Sequence, residues 1–207
     1  MSLTLIIIIV TVLISIAAFN NDDLYNRLIL WPRRMDNPAE YYRLLTSGFI
    51  HADWPHLFFN MLTLYFFGRE VEGAFAVIGQ PLLFIVLYLA GIVVSSLPSF
   101  MKNRNNSYYR SLGASGGVAA VLFAFVYFAP WQQIYVWFIP IPGILAGVGY
   151  LIYSATMSRK GKGNINHDAH FWGAIFGFFF TLKRSSRRIP ATHTIRFWHS
   201  NTRMCSF

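Results

Sequence analysis

One cysteine, Cys205, is all that these 207 residues offer to thiol chemistry. A disulfide within the chain and a cysteine-based metal site are both excluded. Charge is scarce as well. Only 12% of the residues are Asp, Glu, Lys or Arg, about half the share of a soluble domain. None of them falls between Ser111 and Ser158. Apolar–polar alternation is also missing, which removes a membrane barrel. A bilayer then leaves only helices, because each backbone polar group must be satisfied internally. What the chain does have is 55% apolar residues. They are gathered in blocks near the roughly 20 residues that span a hydrocarbon core. The class is an all-α polytopic membrane protein.

Acidic residues are few, eight against 17 Lys and Arg, giving a net charge of +9. In a soluble protein that excess would suggest nucleic acid. Here six of the basic residues lie after Leu182 and the rest sit in loops. That distribution suits topology and membrane lipid, not nucleic acid.

Six apolar blocks are expected as helices. Ser2–Phe19 is the first, read as a retained span and not a cleaved signal because no basic leader precedes it. Asn20–Pro55 is a long connection with four Arg among Trp31, Tyr41, Tyr42, Phe49 and Trp54. Its aromatics place it at the membrane interface with short helices of its own. The second helix runs from His56 to about Ala76, and the third from Pro81 to Phe100. The fourth is Gly113–Phe128, closed by Ala129-Pro130. The fifth is expected from Ile134 to about Thr156, kinked or split by Pro140, Pro142 and Gly143. The sixth is His167–Leu182. Six spans put both termini on one side. That side carries seven Lys and Arg, including the tail, and the other carries ten, so charge does not fix the orientation. Residues 1–182 form the membrane domain. Residues 183–207 are a basic tail without apolar periodicity, expected to be disordered. The abrupt change of composition there also fits a shifted reading frame.

Polar residues inside such blocks carry the chemistry. Ser115 lies in Gly113-Ala114-Ser115-Gly116-Gly117. Alone it reads as a structural serine bonded to a carbonyl one turn earlier. Four histidines, His51, His56, His167 and His170, fall in the membrane-associated part. His56 and Asn60 share a helix face. Ala169, Gly173 and Gly177 form a small-residue stripe matching Gly113, Gly116 and Gly117, so the two helices can pack closely. That packing would carry His170 to Ser115, where an imidazole could act as base for the hydroxyl. His56, Asn60 and the Ser115 amide could receive an oxyanion. His167, Asp168 and His170 also suggest a metal, but no second ligand-rich helix completes the set, so no metal is expected.

Together these segments resemble the rhomboid family of intramembrane serine proteases. Tyr42-Arg43-Leu44-Leu45-Thr46-Ser47-Gly48-Phe49-Ile50-His51 is similar to that family's Trp-Arg loop, with Tyr42 in place of the tryptophan. The run from His56 to Gly68 looks like its second helix. Gly113-Ala114-Ser115-Gly116 is similar to its Gly-x-Ser-Gly motif, and Ala169-His170-x-x-Gly173 to its sixth-helix motif. The resemblance implies a six-transmembrane-helix rhomboid-like bundle and a Ser115–His170 dyad without an aspartate. It also implies an oxyanion site from His56, Asn60 and the Ser115 amide, and no cofactor. Arg43 would stabilise the first loop, and Glu72 would hold the end of the second helix. Many members stack an aromatic, four residues after the serine, on the catalytic imidazole. Here that position is Ala119, so His170 needs another support, Trp172 or an aromatic elsewhere.

The expected activity is that of a serine endopeptidase cutting transmembrane protein substrates near an unwound helix end. The Pro140-Ile141-Pro142-Gly143 break is the candidate gate. A non-catalytic binder of membrane-protein clients on the same fold is the alternative, and a transporter or proton channel using the buried histidines is a third. A bacterial cytoplasmic membrane is the expected location.

Overall fold

The computed structural model describes residues 2–136, 138–160 and 166–185. Of the tail expected over residues 183–207, only 183–185 are among the described residues; 186–207 lie outside them. Among the described residues the regular structure is helical, apart from one short hairpin and an isolated bridge between Leu30 and Ser111.

The helix α1, Leu3–Phe19, starts from Ser2, whose side chain accepts a bond from the Leu5 amide. Its first turn is also capped from another helix. The Glu72 carboxylate accepts from the Leu3 amide at 2.7 Å, the Thr4 amide at 3.0 Å and the Thr4 hydroxyl at 2.7 Å. A carboxylate there meets both the orphan donors and the positive end of the helix dipole.

The first connection folds into short pieces. They are α2 at Asp22–Leu28, 3-10 turns at Pro32–Arg34 and Pro38–Glu40, α3 at Arg43–Thr46, and a third 3-10 turn at Ser47–Phe49. Then α4 spans Trp54–Val77. It begins two residues before the expected His56 because the Asp53 carboxylate caps it, accepting from the His56 amide at 2.7 Å, with Pro55 in the first turn. Next come α5 at Leu83–Lys102 and α6 at Ser115–Phe128.

The helix expected from Ile134 does not start there. Instead β1, Gln133–Val136, pairs antiparallel with β2, Ile139–Pro142, with Gln133 opposite Pro142 and Val136 opposite Ile139. Two prolines would each remove a helical donor and clash with the preceding turn, whereas a short edge strand tolerates them. The helix α7, Gly143–Lys160, starts only after Pro142. The last helix, α8, spans His167–Ser185 and so continues three residues past Leu182.

At the centre lies α6, packed against α4, α5 and α8. Residues Gly116–Val121 and Phe123–Val126 are buried, and so is Phe128. Its closest neighbour approaches along a line of small residues. A Cβ added at Gly173 would lie 3.1 Å from the Gly116 Cα, with the Gly116 carbonyl oxygen nearer still. At Gly177 the added Cβ would lie 2.5 Å from the Ala120 Cα. From the other side, a Cβ at Gly91 of α5 would meet the Ala120 Cβ at 2.8 Å. Three helices thus meet backbone to backbone around one short stretch of α6.

By length and apolarity alone, one described helix, Leu83–Lys102, is able to cross a membrane. The helices at Leu3–Phe19, Ser115–Phe128 and Gly143–Ser158 are apolar and shorter.

Glycine substitutions should therefore have opposite signs in two helices. Gly177→Ala should destabilise by about 1–3 kcal/mol through overpacking. Gly149→Ala on α7, where an added Cβ meets nothing within 4 Å, should stabilise by about 0.5–1 kcal/mol by restricting the unfolded chain. Thermal unfolding in detergent reads both, and a Gly177→Ala protein as stable as wild type would contradict the packing described.

Candidate active site

Ser115 is the first residue of α6 and is half-buried. The backbone turns sharply just before it. Gly113 has φ +116°, and an added Cβ there would strike the His56 ring at 2.6 Å. Glycine is thus required twice, for the left-handed backbone and for the room the imidazole takes. Two bonds hold this turn. The Gly113 amide donates to the Ser47 carbonyl at 2.9 Å, and the Ala114 amide to His51 Nε2 at 3.3 Å. Among the described residues the amides of Ser115, Gly116 and Gly117 have no protein acceptor, as expected for a free helix start.

His51, the last residue of the Tyr42–His51 segment, anchors this turn. It is fully buried, and its Nδ1 lies 3.0 Å from the Ser15 hydroxyl. A backbone amide can only donate, so Nε2 is the acceptor and Nδ1 carries the proton. Ser15 accepts that proton's bond and donates its own to the Phe49 carbonyl at 3.0 Å. The chain Ala114–His51–Ser15–Phe49 ties α1 and the first connection to the residue before Ser115. Burial holds the His51 imidazole well below its ordinary value, at about 3. The neighbouring His56 adds to the shift, and Asp53 opposes it.

His56 and Asn60 stand on the first turns of α4. The His56 ring meets His51 edge-on, with centroids 5.0 Å apart. Asn60 is buried, and its amide donates to the His56 carbonyl at 2.9 Å. An amide has two hydrogens, so one remains for another acceptor.

His170 lies one turn into α8 and is half-buried. Its neighbour Ala169 touches α6, for a Cβ on Gly116 would be 3.6 Å from the Ala169 carbonyl oxygen. The turns bearing Ser115 and His170 therefore adjoin, although no hydrogen bond links the two side chains. The Tyr150 ring of α7 lies stacked on the His170 imidazole, with centroids 6.2 Å apart and planes 22° apart. Trp172 does not do this. It is 43% exposed and sits edge-on to Phe171. His167 meets His170 edge-on at 5.8 Å. Among the described residues no group of three or more His, Cys, Asp or Glu could hold a metal ion.

The start of α8 is fixed by Asn166, which sequence reasoning missed. Its side-chain oxygen accepts from the Ser99 hydroxyl and from the Ala169 amide, each at 3.1 Å. Its amide donates to the Ser111 hydroxyl at 2.9 Å. The only signal was an Asn at a helix-capping position. Arg43 is buried and gathers the first connection. It pairs with Glu40 and donates to the carbonyls of Asn26 and Ile29 at 2.7 and 2.9 Å. Glu72 sits toward the far end of α4, and by capping the first turn of α1 its carboxylate links that end to α1.

A Rhomboid domain is matched over residues 38–187. The chain is 29% identical over 174 residues to "RHOMBOID-like protein 12, mitochondrial" of Arabidopsis thaliana, covering 75% of this chain and 50% of that one. It is 33% identical over 145 residues to "Rhomboid protease GluP" of Bacillus subtilis, covering 68% and 25%. With "Presenilin-associated rhomboid-like protein, mitochondrial" of Rattus norvegicus it shares 30% over 144 residues, covering 66% and 36%. The chain thus spans half or less of the length of these relatives.

The His51 anchor has a pH signature. The unfolded imidazole takes up a proton near pH 6.5, the folded one only near 3. Between those values the unfolded chain binds more protons, so His51 makes the fold lose stability as pH falls from about 6.5 toward 3. His51→Gln, which keeps an acceptor for the Ala114 amide, should flatten that part of the stability–pH curve measured in detergent. An unchanged slope would remove His51 as its source.

Proposed function

The chain belongs to the rhomboid family, and on that basis we propose that it is an intramembrane serine endopeptidase acting through Ser115 and His170. It is a multi-pass integral membrane protein whose α1, α4, α5, α6, α7 and α8 make six spans. Both termini then share one side, the membrane domain ends with α8, and the basic tail follows. The observation that carries the reading is the backbone contact of α8 with α6, at Gly173 on Gly116, which sets the turn of His170 beside that of Ser115.

Ser115 Oγ attacks the scissile carbonyl while His170 takes its proton. The tetrahedral oxyanion accepts bonds from the Ser115 amide, from the free hydrogen of the Asn60 amide and from the His56 ring. His170 then returns the proton to the leaving amine, and water releases the acyl group. The free amides at the start of α6 add the positive end of a helix dipole. With 14 residues, α6 is about 21 Å long, short of a hydrocarbon core of roughly 30 Å. At least one of its ends then lies inside the core, and in this reading it is the end that bears Ser115.

Substrates are transmembrane proteins whose helices open near one end, because an intact helix conceals its carbonyls in its own hydrogen bonds. Membrane lipid surrounds both. The mitochondrial names of two of the three relatives favour a mitochondrial membrane over the bacterial cytoplasmic membrane expected from the sequence.

Reconstituted with a transmembrane substrate, the wild-type protein should cleave, and Ser115→Ala and His170→Ala should not. Asn60→Ala should lower turnover about 10- to 1000-fold. Cleavage by Ser115→Ala at the wild-type rate would end the dyad reading. A wild type that holds substrate without cutting it would favour the silent binder.

A further inference from the structure

The His170 imidazole has no hydrogen-bond partner among the described residues. A side chain on a helix keeps two free torsions unless packing fixes them, so the plane of this ring depends on what lies against it. From α6, the side chain one turn after Ser115 is the methyl of Ala119, which is buried against Phe123 and Ala174. A methyl has no face on which a ring can lie.

The face is supplied by α7. Tyr150 lies nearly parallel to the imidazole, at 22° and 6.2 Å, within the range of offset-stacked rings. Tyr150 is itself held on α6 by Phe123, with centroids 5.8 Å apart and planes 50° apart. The series Phe123–Tyr150–His170 thus runs from the centre of the bundle through α7 to the base. A second aromatic pair joins the same helices one turn on. Tyr153 meets His167 edge-on at 5.5 Å, and the Ser158 hydroxyl bonds the Asp168 carboxylate.

We propose that Tyr150 is the positioning residue of the His170 ring, so that the base is aligned only while α7 is seated against α8. This rests on the reading of Ser115 and His170 as the catalytic pair. The helix α7 begins directly after the proline-containing hairpin, and an added Cβ on Gly147 or Gly149 meets nothing closer than 3.5 Å. Its packing is therefore looser than that of α8 on α6. A displacement of α7 removes Tyr150 from the imidazole before it disturbs Ser115, and the hydroxyl is then left without an aligned base.

The test compares kcat and KM of the reconstituted full chain on one transmembrane substrate for wild type, Tyr150→Phe, Tyr150→Leu, Tyr153→Leu and Ser115→Ala. Tyr150→Phe keeps the ring and should retain at least about half of kcat. Tyr150→Leu should lose about 10- to 100-fold in kcat, the scale of a misplaced reacting group, with KM within about twofold. Tyr153→Leu should stay near wild type, because its ring touches His167. Tyr150→Leu within twofold of wild type would overturn the proposal. So would Tyr150→Phe falling as far as Tyr150→Leu, or Tyr153→Leu falling equally, since either outcome marks general packing. Should Tyr150→Leu unfold early, Tyr150→Met fills the same space without a ring and is judged by the same criterion. Labelling of Ser115 by a fluorophosphonate reads the series without a cleavable substrate. Full activity in Ser115→Ala would instead sink the dyad itself, an outcome distinct from failure of the Tyr150 proposal alone.

Discussion

Two helices can touch backbone to backbone only where neither carries a side chain in the gap. In this fold that condition is met where Gly173 and Gly177 of α8 face Gly116 and Ala120 of α6, with Gly91 of α5 closing from another side. The rest of the arrangement depends on that contact. It fixes the height of α8 relative to α6, and so the level at which His170 stands beside the turn of Ser115. A side chain in the gap would separate the helices along their whole shared length, because their rigid axes transmit the displacement. Lipid supplies no hydrophobic drive between helices, so close packing of small residues is what holds such a pair together.

Polar cross-links complete the frame at one end of the bundle. His51 and Ser15 join the turn before Ser115 to α1 and the first connection. Asn166 joins the start of α8 to α5 and to Ser111. Arg43 binds the end of α2 to the turn containing Glu40. The His51 bonds to Ser15 and to the Ala114 amide are buried, and leaving such a group unpaired would cost more than the bond contributes. The proposed nucleophile thus stands on a rigid base formed by loops. The proposed base, in contrast, has one of its faces set by α7, the less tightly packed helix. A site with one fixed partner and one whose alignment depends on a looser element can be opened without dismantling its core.

Much of this was legible in the chain. The apolar blocks announce helices because membrane backbone has few alternatives. The small residues at 116, 173 and 177 recur at helical spacing, so the two faces that meet could be paired from sequence; Gly113 and Gly117 do not belong to that contact, for Gly113 forms the turn before α6 against His56 and Gly117 faces Ile92 and Tyr88 of α5. His56 and Asn60 fall one turn apart for the same reason. The first connection shows its short helices through its length and its prolines. The one expected helix start that did not form lies where two local signals compete. Ile134–Pro142 reads as the start of an apolar helix, yet Pro140 and Pro142 favour a hairpin. The partner of Glu72 lay beyond any local pattern, since its carboxylate meets the open amides of α1, 68 and 69 residues away in sequence.

The sequence by itself therefore determined the class of the protein, the existence of its helices, and the residue types able to do acyl-transfer chemistry. Those properties follow from neighbours a few positions apart, where the helical repeat makes geometry predictable. Only the tertiary structure decided which distant groups support the site. It paired His51 with the Ala114 amide, Asn166 with Ser99 and Ser111, and the Tyr150 ring with His170. The physical reason is that those contacts join separate elements. Their partners are selected by how three helices and a folded loop close on one another, and no spacing within one helix encodes that.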